Sequence, residues 1–174
     1  MTYYKPQELI VFALLGEIKI VNIRQSGSKK TFPTVAHWVF DSTSLPIGMD
    51  VGTHKLTGKL LIFVACQAFR EREFKASKDS ESASYYISVL EVDDKKAATT
   101  PTGESRYHVD EIKRIWSNNG QIAKILYKEE YGLIMACYRG YIESYDPVHF
   151  NRLNYWANNM KAIGSEQQKA KVEQ

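Results

Sequence analysis

The residues able to do chemistry are few and scattered. Four histidines, His37, His54, His108 and His149, stand far apart, and none pairs with another His or with a Cys at metal-ligand spacing. The two cysteines, Cys66 and Cys137, sit inside apolar runs, FVACQ and IMACY, where a thiol is a small buried hydrophobe in a reducing compartment. Asp50, Asp110 and Asp146 are read as turn caps, because a short carboxylate readily accepts nearby backbone N–H groups. The chain has no Gly-x-Ser-x-Gly elbow, no Cys–His signature and no Gly-rich phosphate loop. Nor does it offer paired carboxylates for acid–base work. The expectation is therefore a protein that is not an enzyme, with no catalytic residue, no cofactor and no metal.

Charge narrows the partners. Lys plus Arg is 23 and Asp plus Glu is 20 in 174 residues, a net charge of +3. The run FREREFK, Phe69 to Lys75, is interrupted by Glu71 and Glu73 and reads as a solvated loop. Lys29 and Lys30 are part of a mixed-sign surface. No basic stripe is spaced to follow phosphates, so nucleic acid is not expected. The longest apolar stretch, Leu9 to Leu15, is far short of the ~20 residues that span a bilayer. A membrane partner is not expected, and the expected location is the cytoplasm.

Aromatic residues are the better lead. They make up 12% of the chain, with 11 tyrosines. Part of this packs the interior, and the rest suits protein contacts, where Tyr and Trp are enriched. The candidate partner-binding residues are Phe150, Leu153, Tyr155, Trp156 and Met160. Of these, Phe150, Leu153 and Met160, together with Ala157 and Ile163 and with Trp156 alongside, recur at spacings of three and four, a helical stripe. Asp146-Pro147 would open that helix and Gly164 would close it. The competing assignment is a strand, RLNYWAN.

The elements that would position these residues are mostly strands. LIVFALL and IKIVNI flank Gly16-Glu17 as a hairpin, and GLIMACY and YIESYD flank Arg139-Gly140 in the same way. KLLIFVAC and YYISVLEV form a third pair across a polar insertion. In each pair the first strand is continuously apolar, as if buried on both faces, and the second alternates. SLPIGMDV and QIAKILY precede two of the pairs, and TFPTVAHWVF and RYHVDEIKRIW follow two. No such preceding strand is evident before the first pair.

This order resembles WD-repeat β-propeller sequence. The family's unit is four strands, with a glycine turn before a third strand that ends in Trp-Asp. Here Tyr145-Asp146 closes GYIESYDP in that place, with Gly140 at its start. Val21-Asn22 and Leu90-Glu91 hold the corresponding positions in the other units, and Ala36-His37 stands where the family often has Gly-His. The resemblance covers roughly residues 8 to 158. It implies an all-β fold, a partial propeller of about three four-stranded blades followed by a short C-terminal helix. The division is a propeller segment over 1–160, with insertions at 67–84 and 93–105, and an amphipathic helix and polar tail over 149–174. The alternative is a pleckstrin-homology-like barrel ending in a helix, a lipid- or protein-binding module using Lys29, Lys30, Arg70 and Arg72.

A blade takes ~40–45 residues and a ring ~4–8 blades. Three blades leave two apolar faces open, and each exposed Leu, Ile or Phe forgoes ~1.5–3 kcal/mol. The expected function is a non-enzymatic scaffold, whose partners are other protein chains, or further parts of its own, that complete or flank the propeller. By the same resemblance, the assembly is placed in the cytoskeleton or a cilium.

Overall fold

The computed structural model of the chain describes residues 1–23, 32–69, 84–95, 107–118, 120–130 and 133–157. The runs of alternating and β-branched residues form twelve strands: β1 (Thr2–Tyr4), β2 (Leu9–Leu14), β3 (Glu17–Asn22), β4 (Thr34–Val39), β5 (Ser44–Thr53), β6 (Leu60–Ala68), β7 (Ser84–Asp93), β8 (His108–Ser117), β9 (Ile122–Lys128), β10 (Leu133–Tyr138), β11 (Tyr141–Tyr145) and β12 (Arg152–Ala157). They pair in chain order into three four-stranded antiparallel sheets, β1–β4, β5–β8 and β9–β12. Each sheet is a meander. The tight turns of the first and third depend on Gly16 and Gly140, both at positive φ, where a side chain would be strained.

The sheets stack like blades. β1 lies against β5, β5 against β9, and β4 against β8. The fold is therefore all-β and propeller-like, an arc of three blades. The pleckstrin-homology-like alternative does not describe it, because the strands divide into three separate sheets instead of closing one barrel. Among the described residues, no helix is long and apolar enough to cross a membrane.

The middle blade explains its own sequence. Along β6, Leu60, Ile62, Val64 and Cys66 pack into a core shared with the first blade. Leu61, Phe63 and Ala65 pack into a second core shared with the third. A strand with period-two side chains can be apolar throughout only if both faces are covered, and β6 is.

Three expectations need correction. The first blade does have a first strand, β1, paired Thr2 with Val11 and Tyr4 with Leu9. It is only three residues long and runs straight into a 3-10 turn containing Pro6, too short to show a period. The helix expected over 149–174 is not what residues 152–157 form. They make β12, paired with β11, and the rest of that stretch lies outside the described residues. The pairing shifts so that Tyr145 opposes Arg152 and Ser144 opposes Asn154, leaving Leu153 as an extra residue. A bulge of this kind turns a period of two into apparent steps of three and four. The open edge of β11 then outweighs the helical stripe, since strand preference is set by what a segment can pair with. The insertions also begin later than expected. β6 continues to Ala68 and β7 already starts at Ser84, while Asp93 still belongs to β7.

Candidate interaction surface

The seams between blades are fixed by residues to which sequence reading had assigned no such role. Asp50 caps no turn but lies within β5, where Oδ1 accepts from Val51 N at 2.9 Å and Oδ2 accepts from Tyr127 N at 2.8 Å, across to the third blade. The Tyr127 hydroxyl donates to Thr53 O at 3.2 Å, and its ring stacks on Phe63 with centroids 5.3 Å apart. Gly52 lies beneath that ring, and a methyl group there would collide with it. On the other side, Tyr4 Oη and Thr53 Oγ1 share a hydrogen bond of 3.0 Å. One end of β5 is thus tied to both neighbours.

The third blade holds a buried carboxylate. Glu143 accepts from Tyr138 at 2.9 Å, from Tyr145 at 2.7 Å and from Arg152 at 3.1 Å. Burial pushes the Tyr138 phenol up to about 12 and also raises that of Tyr145, with the neighbouring Glu143 adding to both shifts. The buried Glu143 side chain is therefore met by two phenol donors and one guanidinium, as a buried polar group requires. A cleft of about 230 Å³ opens beside it, between Tyr145, Phe150 and Arg152 of the third blade and Ile115 and Trp116 of the second. A second cleft of about 420 Å³ lies on Trp116 and Arg114, reaching Asp41 and Ser44. The Arg114 guanidinium sits 4.5 Å over the Tyr86 ring and is gripped by Glu111 at 3.0 and 2.7 Å. Trp116, 53% exposed, forms the ledge between the two clefts. Its only sequence signal was its place at the end of RYHVDEIKRIW.

The polar groups read as structural take structural places. Asp146 accepts from Val148 N and His149 N, both at 3.0 Å, and forms the turn into β12. Asp110, expected to cap a turn, instead lies within β8, where it is bound to His108 at 2.8 Å. His54 Nδ1 contacts both Glu91 and Thr57 at 2.9 Å, locking the β5–β6 turn. His37 is exposed, and Ala36-His37 lies inside β4 instead of between units.

Among the described residues, the predicted partner-binding ones fall at the end of the third blade. Phe150 is buried at positive φ in the turn before β12, belongs to the second core and lines the cleft beside Trp116. Leu153, the bulged residue, is half exposed. Tyr155 opposes Glu143 and Trp156 opposes Ile142. Met160, Lys29, Lys30, Arg70 and Arg72 lie outside the described residues.

What the blades do share is an equivalence of faces. Counting from the tight turns, Ala13 matches Cys137 and Ile18 matches Ile142, since each pair is opposed across its hairpin. Val11, which faces the second blade, then matches Met135 on the outer side of the third. Ile10 and Phe12, on the outer side of the first, match Ile134 and Ala136, which face the second. All blades are therefore stacked in the same sense. The outermost faces of the arc carry apolar side chains, Tyr3, Ile10, Phe12, Leu14 and Val21 on one and Leu126, Met135, Cys137 and Ile142 on the other, interspersed with Glu17 and Lys19 on the first and Lys124 on the second. All of these are half-buried or exposed.

No family model, no curated protein and no solved structure matches the chain.

Proposed function

We propose that this chain is a non-enzymatic scaffold: a WD-repeat-like propeller segment that works by being stacked between further blades inside a larger assembly. One observation carries the proposal. β2, β6 and β10 have the same continuously apolar character, but only β6 is covered on both faces. Ile10 and Phe12 on β2 and Met135 on β10 occupy positions that in the middle blade would be core. Residues of that type at those positions call for cover, because solvating them forgoes the energy that holds β6 in place. Trp116 and the clefts on either side of it give the same scaffold a ledge for a partner's side chain, since exposed tryptophans are favoured contact anchors. The resemblance to WD-repeat sequence extends the proposal to a cytoskeletal or ciliary assembly, which imaging of the tagged chain in ciliated cells would test.

The stacking role is tested by a hydrophobic dye and one outer-face charge. Diluted until it is monomeric, the chain should bind anilinonaphthalene sulfonate, and Phe12→Glu, on one of its two open faces, should lower the binding of that monomer while leaving the strand signal in circular dichroism unchanged. A sharply melting monomer that leaves the dye silent would remove the basis for open faces.

A further inference from the structure

We infer that the two open faces of the arc are made for each other, so that a second copy of this chain stacks on the first, head to tail, at both ends. This deepens the scaffold proposal and rests on its premise that the outer faces are open.

The chain builds the required contact twice. The face of the first blade that carries Val11 and Ile18 packs on the second blade, and the second packs on the third in the same sense. The outer face of the third blade is the counterpart of the first of these surfaces, with Met135 for Val11 and Ile142 for Ile18. The match extends to the fourth strand. Trp38 opposes Ile18 and packs against the core between the first two blades. Trp156 opposes Ile142 at the same register position of the third blade. What Trp38 meets is a blade face with an apolar middle strand. The outer face of the first blade, with Ile10 and Phe12 on β2, is such a face, and a second copy supplies it.

Two copies joined in this way share two identical seams related by a two-fold axis, a closed arrangement. Three blades from each copy give six, inside the ~4–8 blades of closed propellers. Cys137, half-buried on the outer face of the third blade, reports on the seam without belonging to its chemistry.

The test is sedimentation of the full chain combined with alkylation of Cys137. The expected mass is twice the 19.9 kDa of one chain, with Cys137 labelling slowed at least several-fold as concentration rises. Phe12→Glu and Ile142→Glu should each give folded monomers. Mixed together they should recover a heterodimer, since one seam then joins two unaltered faces. If either variant loses its strand signal, Leu14→Glu and Trp156→Ser replace them on the same faces. A monomer that still binds the hydrophobic dye overturns the second copy while leaving the open-face proposal intact. A dye-silent monomer overturns both. A dimer unaffected by either substitution, or one not recovered on mixing, overturns the head-to-tail contact.

Discussion

Gly52 is the residue at which the seam is least forgiving. Its Cα passes under the Tyr127 ring, and Gly52→Ala drives a methyl into that ring. The expected loss is about 1–3 kcal/mol, as for other overpacked sites, read from the midpoint of denaturant unfolding. The thiols should separate clearly. Burial pushes Cys66 up to about 12, so maleimide should spare it in the native protein and modify Cys137 first. Acid sensitivity has identifiable sources. Burial tends to raise the Glu91 carboxyl, but hydrogen bonds from Lys59 and His54 outweigh this and hold it below its ordinary value of 4.5. Asp146 likewise resists burial and lies below 3.8, because Val148 N and His149 N donate to it. Both groups bind protons more weakly folded than unfolded, so their contribution is present above the unfolded values and is lost as pH falls through the folded ones. The melting temperature should therefore drop as pH goes from about 5 towards 3, and Glu91→Gln should flatten that drop.

At the scale of strands, the distinction is between β6 and its counterparts. Phe63 is fully buried and stacks on Tyr127, so Phe63→Ala should cost about 3–5 kcal/mol. Phe12→Ser, on the outer side of β2, should cost the isolated fold much less and should act mainly on association. Unfolding curves for the two variants, compared with their sedimentation, check this contrast. The strands themselves were largely legible in the sequence. Apolar first strands, alternating second strands and glycine turns placed β2, β3, β5, β6, β7, β9, β10 and β11 close to where they lie. β12 was legible only as the competing assignment, RLNYWAN, because Leu153 breaks the period of two that marks a strand. β1 was missed because three residues carry no period at all.

On the proposed head-to-tail stacking, the molecule as a whole gains stability from its second copy. A protein whose folded form is held by a second copy melts at a temperature that rises with concentration, since binding to the native state alone stabilises it. The chain should show that dependence, and Ile142→Glu should abolish it. Of the candidate surface, the sequence indicated that aromatic contacts matter and pointed to Trp156. It could not show Trp116 as the ledge between two clefts, because that depends on β8 of one blade lying near β11 and β12 of the next.

By itself, the amino-acid order determined the local matters: which runs are strands, which turns are tight and which middle strands are apolar throughout. These follow from period, turn residues and side-chain type, which act over a few positions. Only the tertiary structure decided that Asp50 reaches Tyr127, that Glu143 is buried among two tyrosines and Arg152, that Phe150 is core, and that Arg152–Ala157 completes a sheet. Each of these joins positions through a seam, a turn or an open sheet edge. What a residue meets there is set by how the blades stack, and not by its neighbours in the chain.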